Sequence, residues 1–346
     1  MKRFFSFHVT QENESNIFIH RSETPDAFFR NISEDEDSFI IVDTGFKKSW
    51  VDEFGDSEFI RRAYPVSGGE RCKSIDRIFE LINSIQNQEK RVKRIIAIGG
   101  GALIDLCGYV CYSSIPDAIF EIVPTTPFSQ LTGFYKRRFY LNYDRQKNRL
   151  SIQGIPGKNH IFPDILKTYV TDDFRKAHVA AYSVALGADA RFYHLVKRSL
   201  KEMVHDHIDW DHLSELIWEN NFLRAKASKD LMTVFPGETM ADYIQNATGL
   251  QTDYVSAFNT GIRMELFLSN QLDFLDDNSY HQFDDELKKL LDFKRADFDF
   301  QSFIMNIRRR KSVVMPLIKG LGKSERTRIA SKTLEELLIT FFSDFE

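Results

Sequence analysis

The stretch RIIAIGGGALIDLCGYV, Arg94 to Val110, constrains the fold more than any other part of the chain. Aliphatic residues Ile95 to Ile98 lead into three glycines and then into apolar positions at helical spacing. That order predicts a buried strand, a tight turn and the start of a helix. Neighbouring segments repeat the theme. SFIIVD reads as a buried strand ending at Asp43, and AIFEIVPTT as another, stopped by Pro124. SIDRIFELINSIQNQ places Ile75, Ile78, Phe79, Leu81, Ile82 and Ile85 at helical spacing. Short apolar strands separated by helices predict a parallel sheet. From about Asp172 the signals become helical. TDDFRKAHVAAYSVALGADARFYHLV opens on Thr171, a capping residue, followed by acids. LSELIWENNFLRAKA, SAFNTGIRMELFLSNQL and SKTLEELLITFFSDF read as further helices. The expected fold class is an α/β domain over residues 1–170 and an all-helical domain over 171–346, with a hairpin-like segment, Phe139 to Phe162, ahead of the boundary.

Bulk properties narrow the function. At 346 residues the chain is longer than one core usually covers, so two domains are expected. A net charge of −4 gives no reason to expect nucleic acid or an acidic membrane as partner. No apolar run reaches membrane-spanning length, and MKRFFSFHVTQENE lacks an export-type apolar core. The three cysteines do not make a disulfide framework, and Cys107 and Cys111 read as buried small side chains. A cytoplasmic setting is expected.

A glycine turn that opens a helix after a buried strand is a ready anion site. Its backbone N–H groups point outward, and glycine lets a pyrophosphate approach closely. Gly99, Gly100 and Gly101 meet that need. Asp43, at the end of another strand, is suited to accept bonds from a ribose hydroxyl. Glu70 and Lys73 sit on a loop before a helix, and Thr125 and Thr126 follow a third strand. Open α/β sheets bind ligands at the edge where such strand ends gather.

Together these residues carry a resemblance. The order Asp43, Gly69-Glu70-x-x-Lys73-Ser74, Gly99-Gly100-Gly101-x-x-x-Asp105-x-x-Gly108 and Pro124-Thr125-Thr126 resembles dehydroquinate synthase, of the sugar phosphate cyclase superfamily. LNYDRQKNRL is similar to that family's V-N-x-x-x-G-K-N stretch, through Asn142, Lys147 and Asn148, and DILKTYVTDDF to its D-F-L-K-T-L-P-x-x-x-F. The resemblance implies a Rossmann-like NAD-binding domain followed by a helical domain, and a homodimer. It implies a lyase that oxidises a hydroxyl of a sugar phosphate or related polyol with NAD, eliminates phosphate, returns the hydride and closes a carbocycle. Carried over, Asp43, Glu70 and Lys73 face the adenosine side of NAD and Gly99, Gly100 and Gly101 its pyrophosphate. Asp105 lies near the nicotinamide, and Thr125, Thr126, Lys147 and Thr168 line the cofactor and the cleft. Asn148 reaches the substrate.

The chain also departs from the family. The family's metal is held by one glutamate and two histidines, and those positions fall on Ala180, Glu238 and Tyr254; zinc or cobalt is therefore not expected. Glu238 and Asp242, four apart on one helix face, read as solvated acids on a helix that has lost its metal; the alternative is that with Asp253 they form an oxygen set for a hard cation. The family's D-S-S-V-G-G-K loop is here TGFYKRR, which puts Arg138 at the lysine position beside Lys136 and Arg137. Lys147, Asn148 and Arg138 are the expected catalytic set, with Lys147 or Arg138 supplying alkoxide stabilisation. VHDHIDWDHL, with His205, His207 and His212, reads as a polar loop with a capping aspartate, and the basic run Arg308 to Lys311 as a solvated helix face. The alternative to an active cyclase is a pseudoenzyme that keeps NAD binding for sensing or for binding a partner.

Overall fold

A computed structural model describes residues 3–10, 13–20, 24–54, 57–133, 135, 137–204, 207–227, 235–291 and 297–343. The chain forms two compact units. The first comprises residues 1–144, 148–170 and 224–231, and the second residues 145–147, 171–223 and 232–346.

The first unit is built on one sheet. Its strands are β1 (Arg3–Thr10), β2 (Asn13–Ile19), β3 (Ser38–Asp43), β4 (Tyr64–Val66), β5 (Arg94–Gly99) and β6 (Ile119–Pro124). A hairpin, β7 (Arg138–Tyr143) and β8 (Gln146–Gln153), stands apart from it, and β9 (Lys158–Ile161) returns to it. The spatial order is β1-β2-β9-β6-β5-β3-β4, parallel throughout except for the edge pair β1–β2. Such a sheet needs cover on both faces, which is why β3 and β5 are almost continuously aliphatic and buried. Helices α1 (Pro25–Glu34), α2 (Thr44–Phe54) and α3 (Glu58–Arg62) bring Phe28, Phe29, Trp50 and Phe59 against one face. Helices α4 (Ile75–Gln86) and α5 (Gly101–Ser114) bring Ile78, Leu81, Leu106 and Val110 against the other. A short α6 (Pro127–Thr132) follows β6.

The three thiols lie in this second layer. Burial pushes Cys72 and Cys111 up to about 12 and raises Cys107 as well. Thiolates are the reactive species, so a disulfide reagent is expected to titrate none of the three in the native protein and all of them after unfolding in urea. Prompt reaction of a native thiol contradicts this packing.

The second unit contains α7 (Thr171–Ala177), α8 (Val179–Gly187), α9 (Phe192–Val204), most of α10 (Trp210–Ala227), α11 (Glu238–Ala247), α12 (Tyr254–Gln271), α13 (Asp277–Leu291), α14 (Phe300–Arg308) and α15 (Ser331–Ser343). The expected all-helical character needs one correction. An antiparallel pair, β10 (Ser312–Gly320) and β11 (Lys323–Ala330), lies between α14 and α15. Burial alternates over Ser312 to Met315, the strand signature, and is then continuous from Met315 to Ile318. The basic run is corrected with it: Arg308 ends α14, and Arg309 to Lys311 form the link into β10 rather than a helix face.

Glu265, in the middle of α12, caps the start of α11. Its carboxylate accepts bonds from Gly237 N (2.7 Å) and Met240 N (3.2 Å), and burial pushes it up to about 8 against the pull of those bonds. A raised acid keeps its proton in the folded state after the unfolded state has lost it. Its contribution is complete below the ordinary value of 4.5 and is lost as the pH rises to about 8. Urea unfolding of the wild type is expected to lose stability over that window by up to about 1.4 kcal/mol per pH unit from this group. Glu265→Gln removes that slope; parallel profiles for the two proteins exclude the assignment.

Candidate functional site

The chain leaves β3 towards β4 on one side and leaves β5 towards β6 on the other. The connections therefore diverge between β3 and β5, the place where open α/β sheets form a ligand crevice. Asp43 ends β3, Gly99 ends β5, Thr125 follows β6, and Gly68 and Gly69 follow β4.

Close approaches tie these ends together. A Cβ on Gly68 would lie 1.7 Å from Asp43 Oδ2, and one on Gly99 3.2 Å from Asp43 Cβ. One on Gly100 would lie 3.3 Å from Thr126 Cγ2. Asp43 Oδ1 accepts from Gly45 N at 2.7 Å, which fixes the carboxylate at the start of α2. Gly100 is the N-cap of α5 and supplies no side-chain acceptor, so the first N–H groups of that helix are offered to the crevice. Thr125 is buried, and its N–H bonds Gly99 O at 3.1 Å. Thr126 has local work of its own: its hydroxyl accepts from Ser129 N at 3.2 Å and caps α6, with its methyl turned to Gly100.

Glu70, Lys73, Asp105 and Asn148 are brought together, but as partners of one another. The Lys73 ammonium is 2% exposed and donates to Asp105 Oδ2 (2.8 Å) and Asn148 Oδ1 (2.7 Å), with Glu70 Oε2 at 3.8 Å. Burial raises the Asp105 carboxyl, and the ammonium beside it pulls the other way. Their mutual bonds satisfy buried charge that would be costly alone.

Asn142 organises this cluster, a role its sequence context did not reveal. Its amide donates to Glu70 O (3.1 Å) and Glu70 Oε2 (2.8 Å), and its Oδ1 accepts from Asn148 N (3.0 Å). Its own N–H bonds Lys73 O at 3.0 Å. Asn148 is held at φ 55°, a left-handed conformation that asparagine tolerates better than most residues. Because its Oδ1 faces the ammonium, its outward group is the NH2 donor.

The other expected residues lie outside this cluster. Arg138 is exposed at the start of β7, on the same strand face as Tyr140 and Asn142. Thr168 is exposed, and its hydroxyl bonds Ile165 O at 3.3 Å. Lys136 and His205 fall outside the described residues. Lys147 belongs to the second unit, where its ammonium sits 3.5 Å from the centroid of the Tyr254 ring and its N–H bonds Asn246 Oδ1 at 2.6 Å.

In that unit Ala180 is fully buried in α8. Glu238 is 3% exposed, with its carboxylate 3.4 Å from Phe235 N. Asp253 caps α12 through Ser256 N at 2.9 Å. The oxygen set Glu238, Asp242 and Asp253 is corrected here. Among the described residues, the group of three ligating side chains that converges within 4.8 Å is Glu202, Asp209 and His212. There Asp209 caps α10 through the N–H groups of Asp211 and His212, and Arg198 meets the His212 ring.

The sequence model of the family described as 3-dehydroquinate synthase N-terminal matches residues 63–176. The chain is 25% identical over 192 residues to the 3-dehydroquinate synthase of Microcystis aeruginosa (strain NIES-843 / IAM M-2473), covering 53% of this chain and 52% of that one. The chain thus spans about half the length of that relative. With the 3-dehydroquinate synthase of Clostridium tetani (strain Massachusetts / E88) the identity is 22% over 311 residues, covering 85% and 82%. Among solved structures it is similar to 2-epi-5-epi-valiolone synthase from Streptomyces hygroscopicus subsp. jinggangensis 5008, which has NAD+ and Zn2+ bound. There the TM-score is 0.79 at 15% identity, covering 97% of this chain and 98% of that one, a likeness of fold. The chain is therefore similar in sequence to 3-dehydroquinate synthases, matching the N-terminal model of that family over residues 63–176, and it shares the fold of 2-epi-5-epi-valiolone synthase.

Proposed function

We propose that the chain binds NAD at the crevice between β3 and β5 and acts on a sugar phosphate or related polyol by oxidation, elimination and cyclisation. The observation that carries this reading is the start of α5, uncapped by a side chain and preceded by a glycine set against Asp43. The helix N-terminus suits a pyrophosphate, and the carboxylate suits a ribose diol. Bound NAD would accept a hydride from the substrate and return it. The cluster around Lys73 gives this edge a rigid wall, and Asn148 offers it a donor for a substrate oxygen. Lys147, and Arg138 from the exposed face of β7, are the cationic groups of this reading. Zinc or cobalt has no part in it, and the homodimer implied by the family likeness belongs to it.

A pseudoenzyme is the second reading, favoured by Ala180 and by the rebuilt TGFYKRR loop. Incubating the chain with NAD and a panel of sugar phosphates separates the two. Phosphate release with a cyclised product supports the cyclase. Intact substrates across the panel, with NAD bound, support the pseudoenzyme.

A further inference from the structure

The first unit carries a buried polar line that the crevice does not use. Glu121 of β6 is fully buried, and its carboxylate accepts two bonds from Arg94 of β5 (3.0 and 2.9 Å) and one from Lys158 of β9 (3.0 Å). Asp35, just after α1, also pairs with Arg94. His160 of β9 is 7% exposed. Its Nε2 lies 3.3 Å from Glu121 Oε2, and its Nδ1 lies 3.2 Å from Nε2 of His20, the residue that follows β2. Phe18 of β2 stacks on the His160 ring with centroids 5.2 Å apart, and the Phe28 ring of α1 lies at 4.6 Å.

The acid end of this line fixes its hydrogens. Burial pushes Glu121 up, but bonds from His160, Arg94 and Lys158 outweigh it and hold the carboxyl well below the usual range. An ionised carboxylate only accepts, so His160 Nε2 carries a hydrogen. In the neutral ring Nδ1 is then a lone pair, and His20 Nε2–H donates to it. A second proton on His160 would occupy Nδ1 and remove that acceptor. Burial holds the ring below its ordinary value of 6.5, and Lys158 and Arg94 push the same way against the pull of Glu121. The charged and titratable groups that face it are thus Glu121 from β6, Arg94 from β5, Lys158 from its own strand and His20 beyond β2, while α1 turns Phe28 to it.

The seam that the His20 bond crosses is short. β2 joins the rest of the sheet through β9, over Asn16 to Ile19. β9 in turn pairs with β6 at two positions, Glu121 with Lys158 and Ile122 with Asn159. A further side-chain bond across the β2–β9 seam runs from Asn159 Nδ2 to Ser15 Oγ at 2.9 Å.

We propose that His160 is a pH-sensitive latch: its neutral ring ties β2 to β9, and its protonation releases the β1–β2 pair from the sheet while the rest of the first unit stays folded. The open state takes up a proton that the closed state refuses. The latch is therefore fully engaged above 6.5 and loosens as the pH falls below it. Opening gains about tenfold per pH unit until the closed ring itself titrates. None of this depends on NAD binding.

Hydrogen exchange of the full chain, read as opening constants corrected for intrinsic rates, tests the latch from about pH 8 to about pH 5. Peptides covering β2 and β9 are expected to open at least about tenfold more at the acid end, while those covering β3 and β5 keep their protection. His160→Gln has an amide that can donate to Glu121 and accept from His20 without titrating. It is expected to hold β2 with no pH dependence across the range. Unchanged opening of β2 in the wild type overturns the proposal. A parallel loss across β2, β3 and β5 overturns it too, because that is global unfolding. The same pH dependence in His160→Gln means that another group carries the response, and the proposal falls. Where that variant does not fold, the ring nitrogens of wild type labelled with 15N-histidine decide: a His160 ring that titrates together with β2 opening supports the latch, and one that stays neutral while β2 opens overturns it.

Discussion

Gly68→Ala is expected to weaken NAD binding by tenfold to a hundredfold while leaving unfolding nearly unchanged. The new Cβ would stand 1.7 Å from Asp43 Oδ2. What it meets is the tip of a side chain, so the backbone can stay and the carboxylate swings aside. A charge-assisted hydrogen bond to a ribose hydroxyl is worth about 1.5–3 kcal/mol, and each 1.4 kcal/mol is a factor of ten in Kd. Calorimetry with NAD and urea unfolding, run on the same preparations, separate the two effects. An unchanged Kd means that Asp43 does not hold the ribose.

Gly261→Ala should act oppositely, on stability. Its Cβ would lie 2.5 Å from Gly237 O and 2.8 Å from Ala241 N, so it meets backbone rather than a movable side chain. Gly237 is already fixed at φ 97° and cannot yield easily. Helices α11 and α12 must separate, and Glu265 then loses its bonds to the start of α11. Overpacking alone costs about 1–3 kcal/mol, and the orphaned N–H groups add about 1–3 kcal/mol each. The chain is expected to unfold at clearly lower urea or to accumulate as insoluble protein. Wild-type stability in this variant contradicts the close contact of the two helices.

The sequence carried much of the fold in forms that are easy to read. Runs such as IIVD and RIIAIG are aliphatic because both faces of their strands are covered, and the triple glycine marks where β5 gives way to α5. The hairpin β10–β11 was harder. Its partner strand, KSERTRIA, is mostly exposed and charged, so the alternation survives clearly on one strand only. The break in the first helical run has no local signature: His178 has the pattern of an ordinary helix residue, yet it lies between α7 and α8 and its ring is bonded to Phe174 O (2.7 Å) and Ser199 Oγ (2.9 Å).

The site divides the same way. Strand-end residues could be gathered from the sheet order alone, because topology decides which edge they share. The bonds linking Lys73, Asp105, Asn142 and Asn148 join residues up to 75 positions apart, and no local pattern encodes such pairing. Lys147 on Tyr254 is of the same kind: it depends on where a hairpin turn and a helix start come to rest.

Isothermal titration of the wild-type chain with NAD tests the central claim most directly. Saturable binding of one NAD per chain, weakened in Gly68→Ala, is the predicted result. Absence of binding up to millimolar NAD would contradict the assignment of the β3–β5 crevice and, with it, both the cyclase and the NAD-sensing readings.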